Sequence, residues 1–155
     1  MADTVLDRLR QLLTARGVHF SVSEHAAVYT SEQAAAVRGT SLASGAKALV
    51  CKADDSLAMF VLPADRRLAS KLVRAQCRIK SLRFASAEEV LAATGLTPGS
   101  IPPFGSLFGL PTWCDDRLAE HESINFNAGD HAVSISLRYA DYIAVEQPRI
   151  TRLSD

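Results

Sequence analysis

The spacing of apolar residues divides the first third of the chain into a helix, a strand and a second helix. Residues 18–22 alternate apolar and polar side chains, which predicts a strand. Thr30-Ser31-Glu32-Gln33 has the form of a capping box and predicts a short helix that ends at Gly39. The first helix should be capped by Asp3 and end at Gly17. Its apolar residues recur at helical spacing: Val5, Leu6, Leu9, Leu12 and Leu13.

The middle of the chain predicts a hairpin followed by two helices. Residues 46–62 form the hairpin, and its second arm is apolar on both faces, which is typical of a central strand covered on both sides. Asp65 is expected to cap the next helix, with Leu68, Leu72 and Val73 facing inward. Ser86-Ala87-Glu88-Glu89 is a second capping box, and its helix should end at Gly95.

The last third of the chain is predicted to be mainly β. Four strands are expected at residues 110–113, 124–127, 132–137 and 142–145, with residues 128–131 as a tight connection. Hairpins interrupted by single helices predict an α+β fold: a single domain, residues 1–155, with a mixed, mostly antiparallel β-sheet covered by several short helices.

The composition sets limits on this picture. The chain has 155 residues, of which 48% are hydrophobic and 22% charged, as expected for one globular domain. Glycines and prolines interrupt the uncharged stretch 90–114, and charges interrupt the apolar residues of the N-terminus, so neither segment resembles a membrane span or a signal peptide. We therefore expect a soluble, cytoplasmic protein. Three scattered cysteines predict reduced thiols and no zinc site.

The net charge is zero, but the cations are clustered. Between residues 66 and 83 there are seven cations and no acid: Arg66, Arg67, Lys71, Arg74, Arg78, Lys80 and Arg83. Such a cluster is either the solvated face of a helix or a surface that contacts phosphates. We call this set the basic patch.

Three segments can carry chemistry. Lys47 lies in the apolar run 46–51 and shares a strand face with Leu49 and Cys51; its amine can be a Schiff-base nucleophile, a general base or a fixed charge. Segment 95–105 is rich in glycine and proline and offers mainly backbone N–H groups, as an oxyanion hole does. Segment 124–129 alternates apolar and amide side chains before a glycine. Together they suit an anionic ligand.

In this order the segments resemble the YbaK family, which includes the editing domain inserted in bacterial prolyl-tRNA synthetases. The resemblance extends from about residue 25 to about residue 141. The motifs that carry it are Gly45-Ala46-Lys47-Ala48-Leu49-Val50, Val61-Leu62-Pro63-Ala64-Asp65, residues 94–105, and Asn125-Phe126-Asn127-Ala128-Gly129.

The resemblance implies a trans-editing aminoacyl-tRNA deacylase, which hydrolyses the ester between a wrong amino acid and the 3′ end of a tRNA. Lys47 would be the family's essential lysine, which holds the tRNA terminus, and the backbone of Gly95 to Gly99 would face the ester carbonyl. A hydroxyl of the terminal ribose helps to activate water in the family, so neither a metal nor a cofactor is expected. The partner would be the acceptor end of aminoacyl-tRNA, with an aminoacyl-tRNA synthetase as a further candidate and no membrane.

The expected site follows from these segments. The catalytic set comprises Lys47, Gly95 and Gly99. The substrate-binding set comprises His25, Tyr29, Thr30, Pro98, Ser100, Asn125, Asn127 and Gly129. The tRNA-binding set comprises Arg67, Lys71, Arg74 and Lys80. Candidate pocket walls are Val28, Thr30, Leu49, Cys51, Met59 and Phe60, and Tyr29 and Phe104 are candidates to stack on the terminal adenine. The expected substrate is a small amino acid of the Ala, Ser, Thr or Cys class.

Several alternatives remain at this stage. Cys51 or Cys114 can act as a nucleophile with His25 or His131 as base. The fold can serve as a non-catalytic module that binds tRNA or docks on a synthetase. A general esterase or a lysine Schiff-base enzyme is a third possibility.

Overall fold

The computed structural model describes residues 3–155, which form five α-helices and eight β-strands. The helices are α1 (Val5–Ala15), α2 (Ser31–Arg38), α3 (Ser70–Cys77), α4 (Ala87–Thr94) and α5 (Tyr139–Glu146). The strands are β1 (Phe20–Glu24), β2 (Ala46–Ala53), β3 (Ser56–Pro63), β4 (Leu82–Phe84), β5 (Thr112–Asp115), β6 (Ser123–Asn127), β7 (Val133–Arg138) and β8 (Arg149–Thr151).

The strands form two sheets. One has three antiparallel strands in the order β1-β7-β6, and the other has five strands in the order β4-β2-β3-β5-β8, with β5 parallel to both of its neighbours. A single parallel bridge between Gly45 and Asn125 joins them. The predicted α+β class with mostly antiparallel pairing is confirmed, but the strands are divided between two sheets where one was expected.

Strand β3 is covered on both faces, as its apolar sequence predicts. Met59 and Val61 belong to the main core, which also contains α1 and the aromatic cluster of Phe104, Phe126 and Tyr142. On the other face Phe60 packs in a smaller cluster under α3. Burial of alternate side chains in two different cores fixes the register of the β2–β3 hairpin.

Helix caps agree with the sequence at two of four predicted sites. Thr30 accepts the Gln33 N–H at the start of α2, and Ser86 forms a full capping box at the start of α4. The cap of α1 is Thr4 rather than Asp3. Asp65 does not cap α3, which begins only at Ser70. Residues 66–69 separate Asp65 from the helix, and they are held by the C-terminal segment: the Ala69 N–H donates to the carbonyl of Leu153.

The predicted strand at residues 142–145 is wrong, because these residues lie within helix α5. Tyr142 is fully buried and donates a hydrogen bond of 2.7 Å to the Pro103 carbonyl. A short apolar run fits a strand or a buried helix equally well. Here the hydrogen bond from Tyr142 to the loop that contains Pro103 favours the helix. Strand β8, which pairs with β5, was not predicted.

Candidate functional site

A pocket of about 200 Å³ lies where the two sheets meet, beside the Gly45–Asn125 bridge. Its lining includes seven of the expected residues: Tyr29, Thr30, Lys47, Leu49, Gly99, Asn125 and Asn127. Further small or apolar residues line it: Ser31, Ala34, Ala35, Ser41, Leu42, Gly45, Ala46, Ala48, Ala64, Ile101 and Phe126. Of the predicted wall residues, Val28, Cys51, Met59 and Phe60 are buried in the core and do not line the pocket.

Lys47 lies at the pocket, on the face of β2 that carries Leu49 and Cys51. Its ammonium donates a hydrogen bond to the Arg66 carbonyl. Burial lowers the pKa of Lys47, Asp65 and Glu32 act to raise it, and Arg67 lowers it further. The amine is therefore a half-buried cation at the place where the basic patch begins.

The loop after α4 presents one glycine to the pocket. Gly99 has a φ of 91°, which an L side chain rarely adopts, and its N–H has no protein acceptor among residues 3–155. Gly95 lies outside the pocket lining, and its N–H is used to cap α4 by donating to the Leu91 carbonyl at 2.8 Å. Of the two glycines, Gly99 thus lies at the pocket, whereas Gly95 shapes the backbone that leads to it.

The remaining loop residues stabilise its shape. Ser100 is buried and bonds back to the Thr97 carbonyl through its hydroxyl at 2.8 Å. The Gly129 N–H donates to the Ser100 carbonyl at 2.8 Å, and a Cβ at Gly129 would approach Val5 of α1 to 3.2 Å. Ser100, Gly129 and Pro98 therefore lie behind or beside the pocket rather than in its lining.

Arg38, the last residue of α2, is a central residue of the pocket that the sequence did not single out. Its Nε donates to Ser134 Oγ at 2.8 Å, Nη1 to Asn125 Oδ1 at 2.9 Å, and Nη2 to Asn127 Oδ1 at 2.9 Å. Burial lowers the pKa of Arg38 to about 10, so the group remains charged at neutral pH. In sequence, Arg38 is one arginine before a helix-ending glycine, and nothing distinguishes it from a solvated one.

The two amides extend this network to opposite sides of the pocket. Asn127 Nδ2 donates to the Gly99 carbonyl at 2.7 Å, and Asn125 Nδ2 donates to Ser44 Oγ at 3.0 Å. Both side chains project from the same face of β6, as the alternation of apolar and amide residues predicts. The strand end and the loop are therefore directly connected.

His25 lies outside the pocket lining but is connected to it through Ser134. Its Nδ1 is 2.8 Å from the Ala26 carbonyl and must carry the proton, since a carbonyl can only accept. Its Nε2 is 2.8 Å from Ser134 Oγ, and that hydroxyl accepts from Arg38 Nε. His25 thus supports the Arg38 network through Ser134.

Tyr29 is 73% exposed at the rim of the pocket. Its ring centroid is 4.7 Å from that of His131, which bonds to Thr97 Oγ1 at 3.1 Å and to the Val28 carbonyl. Tyr29 therefore has a free face that can stack on a base. Phe104, the other stacking candidate, is fully buried in the aromatic core and is excluded from that role.

The basic patch is a surface that crosses several elements rather than one helix. Lys71 and Arg74 are exposed on α3, and Arg67 precedes it near Lys47. Lys80 lies at the far end, where its N–H bonds to Asp54. Since Asp54 follows β2, Lys80 is roughly 20 Å from Lys47 at about 3.3 Å per residue. Arg83 pairs with Glu89 at 2.7 Å, so its charge is neutralised.

The cysteines do not fit a nucleophilic role. Burial raises the pKa of Cys51 to about 12 and that of Cys114 to about 12, with nearby acids adding to the shift of Cys114. Both thiols are therefore protonated at neutral pH and enclosed in the core. Within residues 3–155, no group of three His, Cys, Asp or Glu side chains is arranged to hold a metal ion. In the same range, no helix is long and apolar enough to cross a membrane.

Comparisons with known proteins identify the family of the chain. The family model described as "Aminoacyl-tRNA editing domain" matches residues 25–145. The chain is 38% identical over 150 residues to a protein of Escherichia coli K12 named multifunctional Ser/Thr-tRNA deacylase ProXp-y, which covers 92% of this chain and 89% of the relative. It is also 38% identical over 109 residues to a proline–tRNA ligase of Shouchella clausii, covering 68% of this chain and 19% of the ligase.

Solved structures share the fold. One described as a candidate trans-editing enzyme for prolyl-tRNA synthetase superposes with a TM-score of 0.87 and 24% identity, covering 100% of this chain and 99% of the other. At that identity the likeness establishes the architecture alone.

Proposed function

The chain belongs to the aminoacyl-tRNA editing domain family, and on that premise we propose that it is a trans-acting deacylase. It hydrolyses the ester of a mischarged small amino acid from tRNA, with residues 1–155 as one editing domain. The observation that carries the proposal is that a half-buried amine, two oriented asparagines and a glycine converge on one small pocket, the glycine N–H having no acceptor within residues 3–155.

The size and chemistry of the pocket favour a small amino acid. Its volume of about 200 Å³ must also admit the ester and part of the ribose, and alanines at positions 34, 35, 46 and 48 narrow its walls. Three hydroxyl residues, Thr30, Ser31 and Ser41, line the same space. Serine and threonine, which the E. coli relative's name specifies, therefore head the list of substrates, with alanine and cysteine as the smaller alternatives.

The proposed reaction is direct attack of water on the ester carbonyl. The Gly99 N–H donates to the carbonyl oxygen, which becomes negative in the tetrahedral transition state. The water gives up its proton with the help of a hydroxyl of the terminal ribose, as the family resemblance implies, and the ribose oxygen of the broken ester leaves with a proton. Positioning and oxyanion stabilisation can lower the barrier by several kcal/mol, so no protein nucleophile is required.

Lys47 acts in this scheme as a fixed positive charge at the pocket mouth. It donates to the Arg66 carbonyl, and although burial lowers its pKa, the carboxylates of Asp65 and Glu32 oppose that shift. A Schiff base would need the neutral amine as nucleophile. We therefore assign Lys47 to holding the 3′-terminal nucleotide.

The basic patch gives the acceptor stem a place to dock. Arg67, Lys71 and Arg74 begin at the mouth of the pocket and continue over α3, where they are exposed. The exposed ring of Tyr29 lies at the same mouth and offers a stacking surface for the terminal adenine. Phosphate attraction would bring tRNA to the pocket without selecting its sequence.

The test is deacylation of tRNAs charged with Ser, Thr, Ala, Cys and Pro by the wild type and two variants. Lys47→Ala should lower the rate by about 100-fold, a loss comparable to that of removing one stabilising donor. Lys52→Ala is the matched control, since Lys52 lies further along the same strand and outside the pocket. Its rate should stay near that of the wild type.

Three outcomes would redirect the proposal. Tight binding of every tRNA without release of any amino acid would favour the non-catalytic module. Equal loss in both lysine variants would remove the special role of Lys47. Borohydride trapping of an added aldehyde or ketone on Lys47, without deacylation of any tRNA, would instead identify a Schiff-base enzyme.

A further inference from the structure

We propose that Arg38 is the positioning residue of this site, which orients the two asparagines and, through them, the Gly99 loop. The inference rests on the proposed deacylase function for its kinetic consequence. Its structural part concerns only the hydrogen-bond network and can be tested separately.

The direction of every bond in the network follows from Arg38. A guanidinium can only donate, so the groups that face it must be acceptors: Asn125 Oδ1, Asn127 Oδ1 and Ser134 Oγ. An asparagine whose oxygen faces Arg38 must turn its NH₂ group the other way. For Asn127 that direction is the Gly99 carbonyl at 2.7 Å, and for Asn125 it is Ser44 Oγ at 3.0 Å.

Without Arg38 this orientation would not be unique. A rotated Asn127 amide would place its oxygen toward the Gly99 carbonyl, where two acceptors repel each other. The loop would then lose its attachment to β6, and the Gly99 N–H would no longer be held at one point on the pocket wall. Sub-ångström errors in the position of such a donor are costly, since its contribution depends on alignment with the developing oxyanion.

The charge of Arg38 adds to this role. Its three hydrogen-bond partners are neutral, and neither ion pair found among residues 3–155 involves it. A cation that is half-buried at a pocket without a counterion favours negative charge there. At the ester carbonyl such charge appears only in the transition state, so the charge should raise kcat more than it lowers KM.

His25 and Ser134 complete the support. Ser134 Oγ accepts from Arg38 Nε and lies 2.8 Å from His25 Nε2, so the guanidinium is held on its third side as well. Asn125, Asn127 and Ser134 therefore meet at Arg38, and His25 is connected to it through Ser134.

The first experiment is a kinetic comparison of Arg38→Ala, Arg38→Lys and the wild type on the tRNA that the wild type deacylates best. Arg38→Ala should lower kcat by about 10- to 100-fold and change KM by less than about twofold. Arg38→Lys keeps the positive charge but lacks the planar set of N–H donors, so its kcat should lie between those of Arg38→Ala and the wild type. Arg16→Ala is the matched control, because Arg16 also ends a helix and bonds a backbone carbonyl, that of Ala144.

Chemical rescue separates positioning from a merely structural role. Guanidinium ion at tens of millimolar should restore part of the Arg38→Ala rate, whereas sodium chloride at the same ionic strength should not. A large fall in melting temperature with no rescue would overturn the proposal in favour of a structural arginine. An unchanged kcat in folded Arg38→Ala would also overturn it.

A second variant retains folding while breaking the attachment. Asn127→Asp would form an ion pair with Arg38 but could no longer donate to the Gly99 carbonyl. We expect unchanged or higher thermal stability together with a loss of kcat similar to that of Arg38→Ala. Full activity in Asn127→Asp would contradict the proposed path through Gly99.

NMR of the side-chain amides tests the network without any activity. In the wild type the Asn127 NH₂ protons should exchange slowly with solvent, and in Arg38→Ala they should exchange faster. Equal exchange in both proteins would refute the positioning role. Absence of deacylation by the wild type, with the exchange difference present, would instead reject the proposed function and keep the network.

Discussion

The Arg38 network in the pocket and the basic patch on the surface both depend on cations, but the cations differ in burial and in their partners. Arg38 is half-buried and fixed by three hydrogen bonds, each to a neutral oxygen between 2.8 and 2.9 Å away. Lys71 and Arg74 are exposed, and neither forms an ion pair within residues 3–155. A buried charged side chain has a high desolvation cost and must be held by specific hydrogen bonds. An exposed charged side chain is solvated by water and needs no fixed partner. The fixed Arg38 network is suited to positioning groups at one reacting atom, and the basic patch is suited to attracting phosphates over a wide surface.

Among the variants that test the pocket, we expect the largest loss of deacylation rate for Gly99→Ala. A side chain at a φ of 91° costs about 1 to 2 kcal/mol, and its Cβ would lie 3.4 Å from His131 Cε1. We expect a loss of deacylation of about 100-fold. Gly109→Ala, at a φ of 68° with open space around it, is the matched control for strain. It should lose stability without comparable loss of activity, and equal losses in both would place the effect in folding rather than at the site.

Charge reversal on the patch should have a smaller and different effect. The double variant Lys71→Glu and Arg74→Glu is expected to raise KM about 10-fold and to reduce the slope of log affinity against log salt by about 1.4 to 1.8, with kcat preserved. The matched control reverses Arg10 and Arg138, two exposed arginines of α1 and β7 that lie outside the patch. If both pairs raise KM equally, net charge rather than a docking surface is responsible.

The pH dependence should distinguish Lys47 from the arginines. Because burial lowers the pKa of Lys47, the amine loses its proton at a lower pH than a free lysine does. We therefore expect kcat/KM to fall as pH rises through that pKa, by about tenfold per unit beyond it. Lys47→Arg should move this fall to higher pH. Rates are measured after subtraction of spontaneous hydrolysis, and an identical profile in the variant would assign the fall to another group.

The smallest effect on activity is expected at Cys51. Cys51→Ala removes a buried thiol whose pKa is raised to about 12, so deacylation should change by less than about twofold. The cost should appear in the free energy of unfolding, at about 1 to 2 kcal/mol for the lost packing. A complete loss of activity with intact folding would revive the cysteine nucleophile.

Local signals in the sequence located much of the site. Alternation along β6 placed Asn125 and Asn127 on one face, and the glycine–proline composition of residues 95–105 identified the loop. The same signals did not separate Gly95 from Gly99, because the two glycines look alike in sequence. The difference between them is that the Gly95 N–H caps α4, whereas the Gly99 N–H has no protein acceptor among residues 3–155.

The sequence by itself determined the elements whose signals are local: the caps at Thr30 and Ser86, the β2–β3 hairpin, and the family to which the motifs belong. Tertiary structure decided the division of the strands into two sheets, the helix at residues 139–146, and the role of Arg38. The physical reason is that caps and turns depend on neighbours within four residues. The partners of Arg38, by contrast, are 87 to 96 positions away and meet it only when the sheets close on α2.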